Sequence, residues 1–403
     1  MSTTHTPGRV GVGVVGFGWM GQTHSRALTR LPHHYPGLPL RARLVEVADT
    51  ADDGRLAAAA DAYGFASSTS DWRALVARED IDLVCVTGPN FLHREVAVAA
   101  AEAGKHVWVE KPAGRGLEDT RAIAAAVARA GVRSAVGFNY RNAPAVELAR
   151  ELVAAGEIGE VTHAGFRMLG DYSAHPDGAL TWRFRREYAG SGVLGDLGSH
   201  GLDLAGYVVG PVARVLADVA TFIPQRPAPA AGGASHFSRG GGGPRLPVEN
   251  EDYVAALLRF ESGARGSLEA SRASVGEQNH YGFEVHGSQG ALAWDFRRMG
   301  ELRTCLGQDY QGATWSTRLV RPGDGELAAF QPDAAIAMGY DDLKVVEAAR
   351  LLESIHAGDP RGATMTDMVR AAQLAHALEV SAGEERWVDV PGSGTDEERT
   401  EQR

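Results

Sequence analysis

Only two cysteines, Cys85 and Cys305, occur in 403 residues, so no disulfide framework holds this chain. Cys85 lies inside an apolar strand pattern and reads as a small core residue. That usage suits a reducing cytosol, and a cytoplasmic location is expected. Positive charge is also short. The 51 acidic side chains against 40 basic ones leave a formal net charge of -11, which argues against nucleic acid or an anionic membrane as the main partner. No apolar run is long enough to span a bilayer, and Met1 to Gly8 lack the apolar core of a signal segment. The histidines show no His-x-x-x-His spacing and the cysteines no Cys-x-x-Cys, so no metal site is expected. His33 and His34, set between prolines, read as solvated loop residues. Scarcest among the basic residues is lysine: Lys105, Lys111 and Lys344 are the only three.

What is present is ordinary for a globular enzyme: 44% hydrophobic and 23% charged residues, in a length that suggests two domains or one with a large appendage. Against the Arg-rich background, Lys111 stands out in His106-Val107-Trp108-Val109-Glu110-Lys111-Pro112. Alternating Val107 and Val109 predict a buried strand, and Pro112 stops it. Lys111 then sits at the carboxyl end, where open α/β sheets bind ligands. An ammonium can shed its proton when desolvated, which a guanidinium cannot. A solvated strand-end lysine is the alternative.

The chain opens with a strand pattern from Arg9 to Val15, followed by Gly16-Phe17-Gly18-Trp19-Met20-Gly21 and a helical pattern through Ala27 and Leu28. In that context G-x-G-x-x-G implies a dinucleotide loop. One glycine permits the turn, one admits the pyrophosphate and one lets helix and strand pack, with the helix N-terminus facing the phosphates. Leu31 to Leu40 reads as a Pro-rich loop. The second strand, Arg43 to Ala48, ends at Asp49. An acid there can accept from the ribose hydroxyls and repel a 2′-phosphate, so NAD is favoured over NADP; Asp52 and Asp53 are alternatives, and Asp49 is preferred as the first acid after the apolar run. After the strand Ile81 to Thr87, the loop Gly88-Pro89-Asn90-Phe91-Leu92-His93 opens a helix with Asn90 as N-cap, or lies over the cofactor. Strands and helices alternate to about Gly137, the rhythm of a doubly wound parallel sheet.

Beyond Asn139-Tyr140-Arg141 the rhythm changes. A helix from Pro144 to Ala155, a strand from Val161 to Met168, and strands recurring from Val212 to about Leu302 predict a mostly antiparallel sheet with one open face. Pro227 to Pro247 reads as a mobile surface insert, and helices return at Asp342 to His356 and Thr366 to Ser381. Domain boundaries are expected at 9–138 and 139–390, with 391–403 a disordered tail. Within Gly190 to Asp203, Asp196 and His200 stand at i and i+4. If this is the first turn of a helix, they share one face, as an acid–histidine pair tuned for proton transfer. The bland alternative is an N-cap beside a core histidine.

Taken together, Gly16-x-Gly18-x-x-Gly21, Pro89-Asn90-x-x-His93, Ala103-Gly104-Lys105-His106-Val107 with Glu110-Lys111-Pro112, Gly137-Phe138-Asn139-Tyr140-Arg141 and Gly195-Asp196-x-Gly198-x-His200-x-x-Asp203 resemble the glucose-fructose oxidoreductase/inositol dehydrogenase/MocA family. Around Thr181-Trp182-Arg183-Phe184 the likeness is to bacterial inositol and levoglucosan dehydrogenase-like members. The resemblance implies an N-terminal Rossmann domain and a C-terminal α/β domain whose open sheet often joins subunits, hence a homodimer or homotetramer. It also implies catalytic Lys111, Asp196 and His200, with a Lys-Pro peptide that is often cis. Cofactor contacts are expected from Gly16 to Gly21, Asp49, Thr87, Gly88, Pro89, Asn90, His93, Glu110 and Lys111. Tyr140, Arg141, Trp182 and Arg183 are candidates for the sugar side. The implied activity is NAD-dependent oxidation of a secondary ring hydroxyl on a cyclic polyol or pyranose. An NAD-dependent glycosidase and a sugar sensor on the same fold are the alternatives.

Overall fold

The structure is a computed structural model and describes residues 8–50, 54–229, 238–240, 243–307 and 309–391. Asp52 and Asp53, part of the Gly-rich insert and the tail lie outside the described residues. The chain divides into two compact units, one of the residues to Asn139 with Met338–Val369, the other of Tyr140–Ala337 with those from Arg370 onward.

In the first unit, β1 (Gly8–Val15), α1 (Trp19–His34), β2 (Leu40–Ala48), α2 (Arg55–Tyr63), β3 (Ser67–Thr69), α3 (Trp72–Val76), β4 (Leu83–Val86), α4 (Asn90–Glu102), β5 (His106–Val109), α5 (Leu117–Ala130) and β6 (Ser134–Val136) follow one another. The sheet order is β3-β2-β1-β4-β5-β6, and every pairing is parallel. Leu83 to Val86 are buried without a break, as in a strand covered on both faces. Strand order reverses between the neighbours β1 and β4. The loops leaving their carboxyl ends therefore flank the switch point where such sheets take ligands.

Two local expectations give way here. The segment from Leu31 is helical as far as His34, with Pro32 inside α1. Pro32 is exposed in the closing turns, where its missing N–H costs one hydrogen bond near the helix end. Asn90 is not an N-cap but the first residue of α4, behind an extended Pro89 (φ −63°, ψ 151°) with no side-chain cap. Proline has no N–H to satisfy, so the helix opens directly after it.

In the second unit come α6 (Pro144–Ala154), β7 (Val161–Leu169), α7 (Arg186–Ala189), α8 (Ser199–Val208), β8 (Val212–Ala220), β9 (Gln225–Pro227), β10 (Arg245–Pro247), β11 (Tyr253–Phe260), β12 (Arg265–Ser271), β13 (His280–Gly287), β14 (Gly290–Asp295), β15 (Glu301–Leu306) and β16 (Ser316–Leu319). They are followed by α9 (Tyr340–Ala357), which belongs to the first unit, then α10 (Met365–Glu384) and β17 (Val388–Asp389). The large sheet runs β16-β15-β14-β13-β7-β12-β11-β8-β17, antiparallel except where β7 meets β12. Val254, Ala256, Leu258 and Phe260 of β11 point into the core, and α6 and α8 cover that side. The alternate residues form an open face, on which Leu257 is 51% exposed. The insert is anchored at both ends, because β9 pairs with β10 and the buried Arg226 donates to the carbonyls of Ser173 and His175. No helix among the described residues is long and apolar enough to cross a membrane.

Candidate active site

The loop after β1 is built by sterics. Gly16 has φ +91°, and a Cβ there would stand 2.4 Å from the Gly88 nitrogen, so only glycine lets the two loops touch. The corresponding point at Gly18 has no atom within 4 Å, and that side is left to a ligand. A Cβ on Gly21 would meet the Gly16 carbonyl oxygen at 2.1 Å. Thr87 holds the loop through its hydroxyl, which donates to the Gly16 carbonyl at 2.6 Å. Asp49 directly follows β2 and accepts the Phe17 N–H at 2.6 Å, while the Phe17 ring packs edge-on to Tyr63 and Phe65. Trp19, 59% exposed, stacks on Tyr340 at 5.1 Å, and the Met20 sulfur accepts from the Tyr340 hydroxyl. No acid stands in the first turn of α1. The N–H groups and dipole of that turn fit the pyrophosphate of a dinucleotide.

His93 is buried, with Nδ1 2.8 Å from the Pro112 carbonyl and Nε2 2.8 Å from the Gly88 carbonyl. It ties the loop after β4 to the turn after β5 and leaves no ring nitrogen facing outward. Burial lowers its pKa, against the pull of the two carbonyls. Asn90 is buried beside it in sequence. Lys111 is half-buried at the end of β5, and the Lys111–Pro112 peptide is cis, the geometry the resemblance implied.

Beneath Lys111 lies a charged cluster in the core of the first unit. The Lys344 ammonium of α9 is 2.5 Å from Glu110 Oε1 and 3.2 Å from Glu347 Oε1. His24 Nε2 is 2.9 Å from Glu110 Oε1, the His24 ring stacks on Trp108, and the Trp108 indole donates to Glu347. His24, Glu110 and Glu347 bring their ligand atoms within 4.8 Å of one another, a spacing suited to a cation, and the Lys344 ammonium supplies that charge. Burial favours neutral forms throughout. It pushes His24 down to about 4 and Glu347 up to about 7. Burial would also raise Glu110, but the Lys344 charge and the His24 hydrogen bond outweigh it and hold Glu110 well below the usual carboxylate range. For Lys344, burial is outweighed by the two carboxylates, and its pKa is raised.

In the second unit the Asp196–His200 segment is not the first turn of an α-helix. Leu194–Gly198 forms a π-helical turn, and α8 follows from Ser199. Glycines at 195 and 198 make the wide turn cheap, and such turns cluster at functional sites. Its entry is pinned by Glu251, whose carboxylate accepts the N–H groups of Gly192 and Leu194 at 2.7 and 3.0 Å. Asp196 accepts from the Tyr172 hydroxyl at 2.6 Å and lies 3.5 Å from an Arg183 nitrogen. Burial raises the Tyr172 pKa far above its ordinary value, and the Asp196 charge adds to this. The Arg183 guanidinium covers the Trp182 ring at 4.6 Å. His200 is buried with its ring against Tyr140 at 4.6 Å, and Tyr140 also packs on Tyr281 and Phe296. Arg141 directs its fork at Asp203, with Nε 2.7 Å from Oδ2, and so anchors α8.

The residues that sequence reasoning missed are His24, Trp108 and Glu347 around Lys344, and Tyr172, Tyr281 and Glu251 around Asp196. Only the rarity of lysine hinted at the first group.

A family model described as "Oxidoreductase family, NAD-binding Rossmann fold" matches residues 10–138, and one described as "GFO/IDH/MocA C-terminal domain" matches 146–293. The chain is 38% identical to levoglucosan dehydrogenase of Pseudarthrobacter phenanthrenivorans over 94% of its own length and 98% of that protein. It is 30% identical to inositol 2-dehydrogenase of Rhizobium meliloti over 74% of its length and 79% of that protein. A solved structure of levoglucosan dehydrogenase in complex with NADH and levoglucosan superposes with a TM-score of 0.88 at 36% identity, covering 95% of this chain and all of that one.

Proposed function

As a member of the Gfo/Idh/MocA family, this chain is an NAD-dependent oxidoreductase, and we propose that it oxidises a secondary ring hydroxyl of an uncharged cyclic sugar or polyol, anhydro-sugars foremost. The observation that carries the reading is the pairing, in one unit, of a fixed carboxylate with a histidine among aromatic rings. Asp196 is tied to Tyr172, and His200 packs against Tyr140, beside Tyr281 and Phe296. Aromatic faces suit the C–H side of a sugar ring and polar groups suit its hydroxyls.

The backbone of Gly16 to Gly21 would hold the dinucleotide pyrophosphate, and Asp49 the adenosine ribose. When bound, the nicotinamide supplies the hydride acceptor. His200 takes the hydroxyl proton, Asp196 orients the catalytic groups, and Lys111 donates a hydrogen bond to the oxygen as it becomes a carbonyl. The place of Lys111 in this set rests on its motif, Glu110-Lys111-Pro112. The open face around Leu257, Leu216 and Tyr253 suits a second copy of the chain, in keeping with a homodimer or homotetramer.

The test follows reduced nicotinamide across levoglucosan, inositol isomers, pyranoses, deoxy analogues, linear alcohols and aryl glycosides. Net NADH with ring substrates, and strong rejection of deoxy analogues, is expected. Release of aglycone with no net NADH would assign a glycosidase instead, and a preference for linear alcohols would exclude both. Lys111→Ala should lower kcat by about a hundredfold with cofactor binding retained, and Lys111→Arg should not rescue it.

A further inference from the structure

Lys344 is entirely buried, and the geometry around it runs in one direction. Two ion pairs fasten the start of α9 to α1, with Arg26 Nε 2.6 Å from Asp341 and Arg30 Nη2 2.5 Å from Asp342. These bring Lys344 under β5. Its ammonium meets Glu110 Oε1 at 2.5 Å, and the other oxygen of that carboxylate accepts the backbone N–H of Lys111 at 3.3 Å. On the far side Gly137 leaves no slack, since a Cβ there would lie 2.4 Å from Glu110 Oε2. A buried ion pair is weak as a source of stability, because an apolar replacement of similar shape is often as stable. Its use here is geometric.

We propose that Lys344 is a positioning residue: its ammonium holds Glu110, and Glu110 holds the backbone of Lys111, so that the strand end presenting the Lys111 side chain is fixed from below. The proposal rests on the reading of Lys111 as a catalytic residue.

The chain carries only three lysines, so protein grown with ¹⁵N-lysine displays three backbone amide resonances, assignable by single Lys→Arg replacements. In Lys344→Met the Lys111 amide should shift and broaden while that of Lys105, at the opposite end of β5, stays in place. NADH binding followed by fluorescence should survive as proof of folding. In turnover, kcat should fall about 10- to 100-fold with KM little changed, as expected when a reacting group is misplaced. A new acid limb should enter the kcat profile, because Glu110 without its ammonium takes up a proton nearer neutrality. Glu347→Gln keeps the Lys344–Glu110 contact and should leave the Lys111 resonance and kcat within twofold of wild type. In the unaltered protein the Lys111 amide should resist hydrogen exchange; exchange at the rate of an open loop overturns the proposal even if no Lys344 variant folds. A folded Lys344→Met with an unmoved Lys111 resonance and an unchanged pH profile overturns it too. The resonance and exchange readouts require no turnover. A wild type that oxidises no ring hydroxyl therefore refutes the functional reading alone.

Discussion

Replacing Glu347 with glutamine should stabilise the protein at pH 9 and leave it nearly unchanged at pH 5. Burial pushes the folded-state pKa of Glu347 up to about 7 from an ordinary value of 4.5. A group whose folded pKa is raised contributes stability that is fully present below its unfolded pKa and is lost as pH rises through the folded one. The loss therefore spans pH 4.5 to about 7. The gap corresponds to on the order of 3 kcal/mol, since one pKa step is about 1.4 kcal/mol. Glutamine keeps the oxygen that faces Trp108 and Lys344 and carries no charge to desolvate. Glu347 Oε2 has no partner among the described residues; the protonated acid and the amide both put a donor there, so this cost largely cancels at pH 5. With about 2 cal/mol/K of unfolding entropy per residue, the gain at pH 9 is about 4 °C in Tm if the chain melts as one and about 8 °C if the first unit melts alone. Paired thermal scans at the two pH values read the difference. His24, pushed down to about 4, has the opposite slope, costing stability as pH falls below 6.5, and in the variant that acid loss should stand out unopposed. An equal drop in Tm at both pH values would show that ionised Glu347 is a net stabiliser and refute the reasoning.

Other perturbations test separate parts of the molecule. Asp49→Ser with Thr50→Arg should weaken NAD and improve NADP use, because repulsion of a 2′-phosphate becomes attraction; kcat/KM for both cofactors decides, and a wild type that already prefers NADP would sink the assignment. Tyr172→Phe removes the hydroxyl that donates to Asp196 and should cost about 10- to 100-fold in kcat, the scale of one hydrogen bond to a charged group, with Tm moved by only a few degrees. Unchanged kcat would make that contact incidental. Gly137→Ala drives a Cβ into the Glu110 carboxylate and should lower both Tm and kcat, whereas Gly206→Ala, with open space around it, should lower neither.

The first unit was legible because its signals are local. A glycine loop follows β1 directly, Asp49 follows β2 directly, and the valines of β4 and β5 form unbroken apolar runs. The charged cluster was illegible for the opposite reason. Glu110 is 86 residues from His24 and 234 from Lys344, and no periodicity links such partners. Tyr172 sits in a polar segment with no repeating pattern, so nothing in sequence ties it to Asp196. Glycines at 195 and 198 marked an unusual turn without revealing that it winds as a π-helix. The sheet extends past the last strand read from pattern because Glu301, Arg303 and Thr304 in β15 dilute its apolar alternation. The prolines of Leu31 to Leu40 suggest a loop from its first residue, yet a helix end on the surface tolerates Pro32.

Because α9 belongs to the unit that the first strands build, synthesis and completion of that unit are far apart in time. At ribosomal rates of about 5–20 residues per second, the 234 residues between Glu110 and Lys344 take roughly 10 to 50 s to emerge. Throughout that interval the nascent sheet has an acid and a histidine destined for its interior and lacks the Lys344 ammonium that meets them in the finished unit, so the most recognisable part of the protein is also the part whose core waits for α9 to emerge.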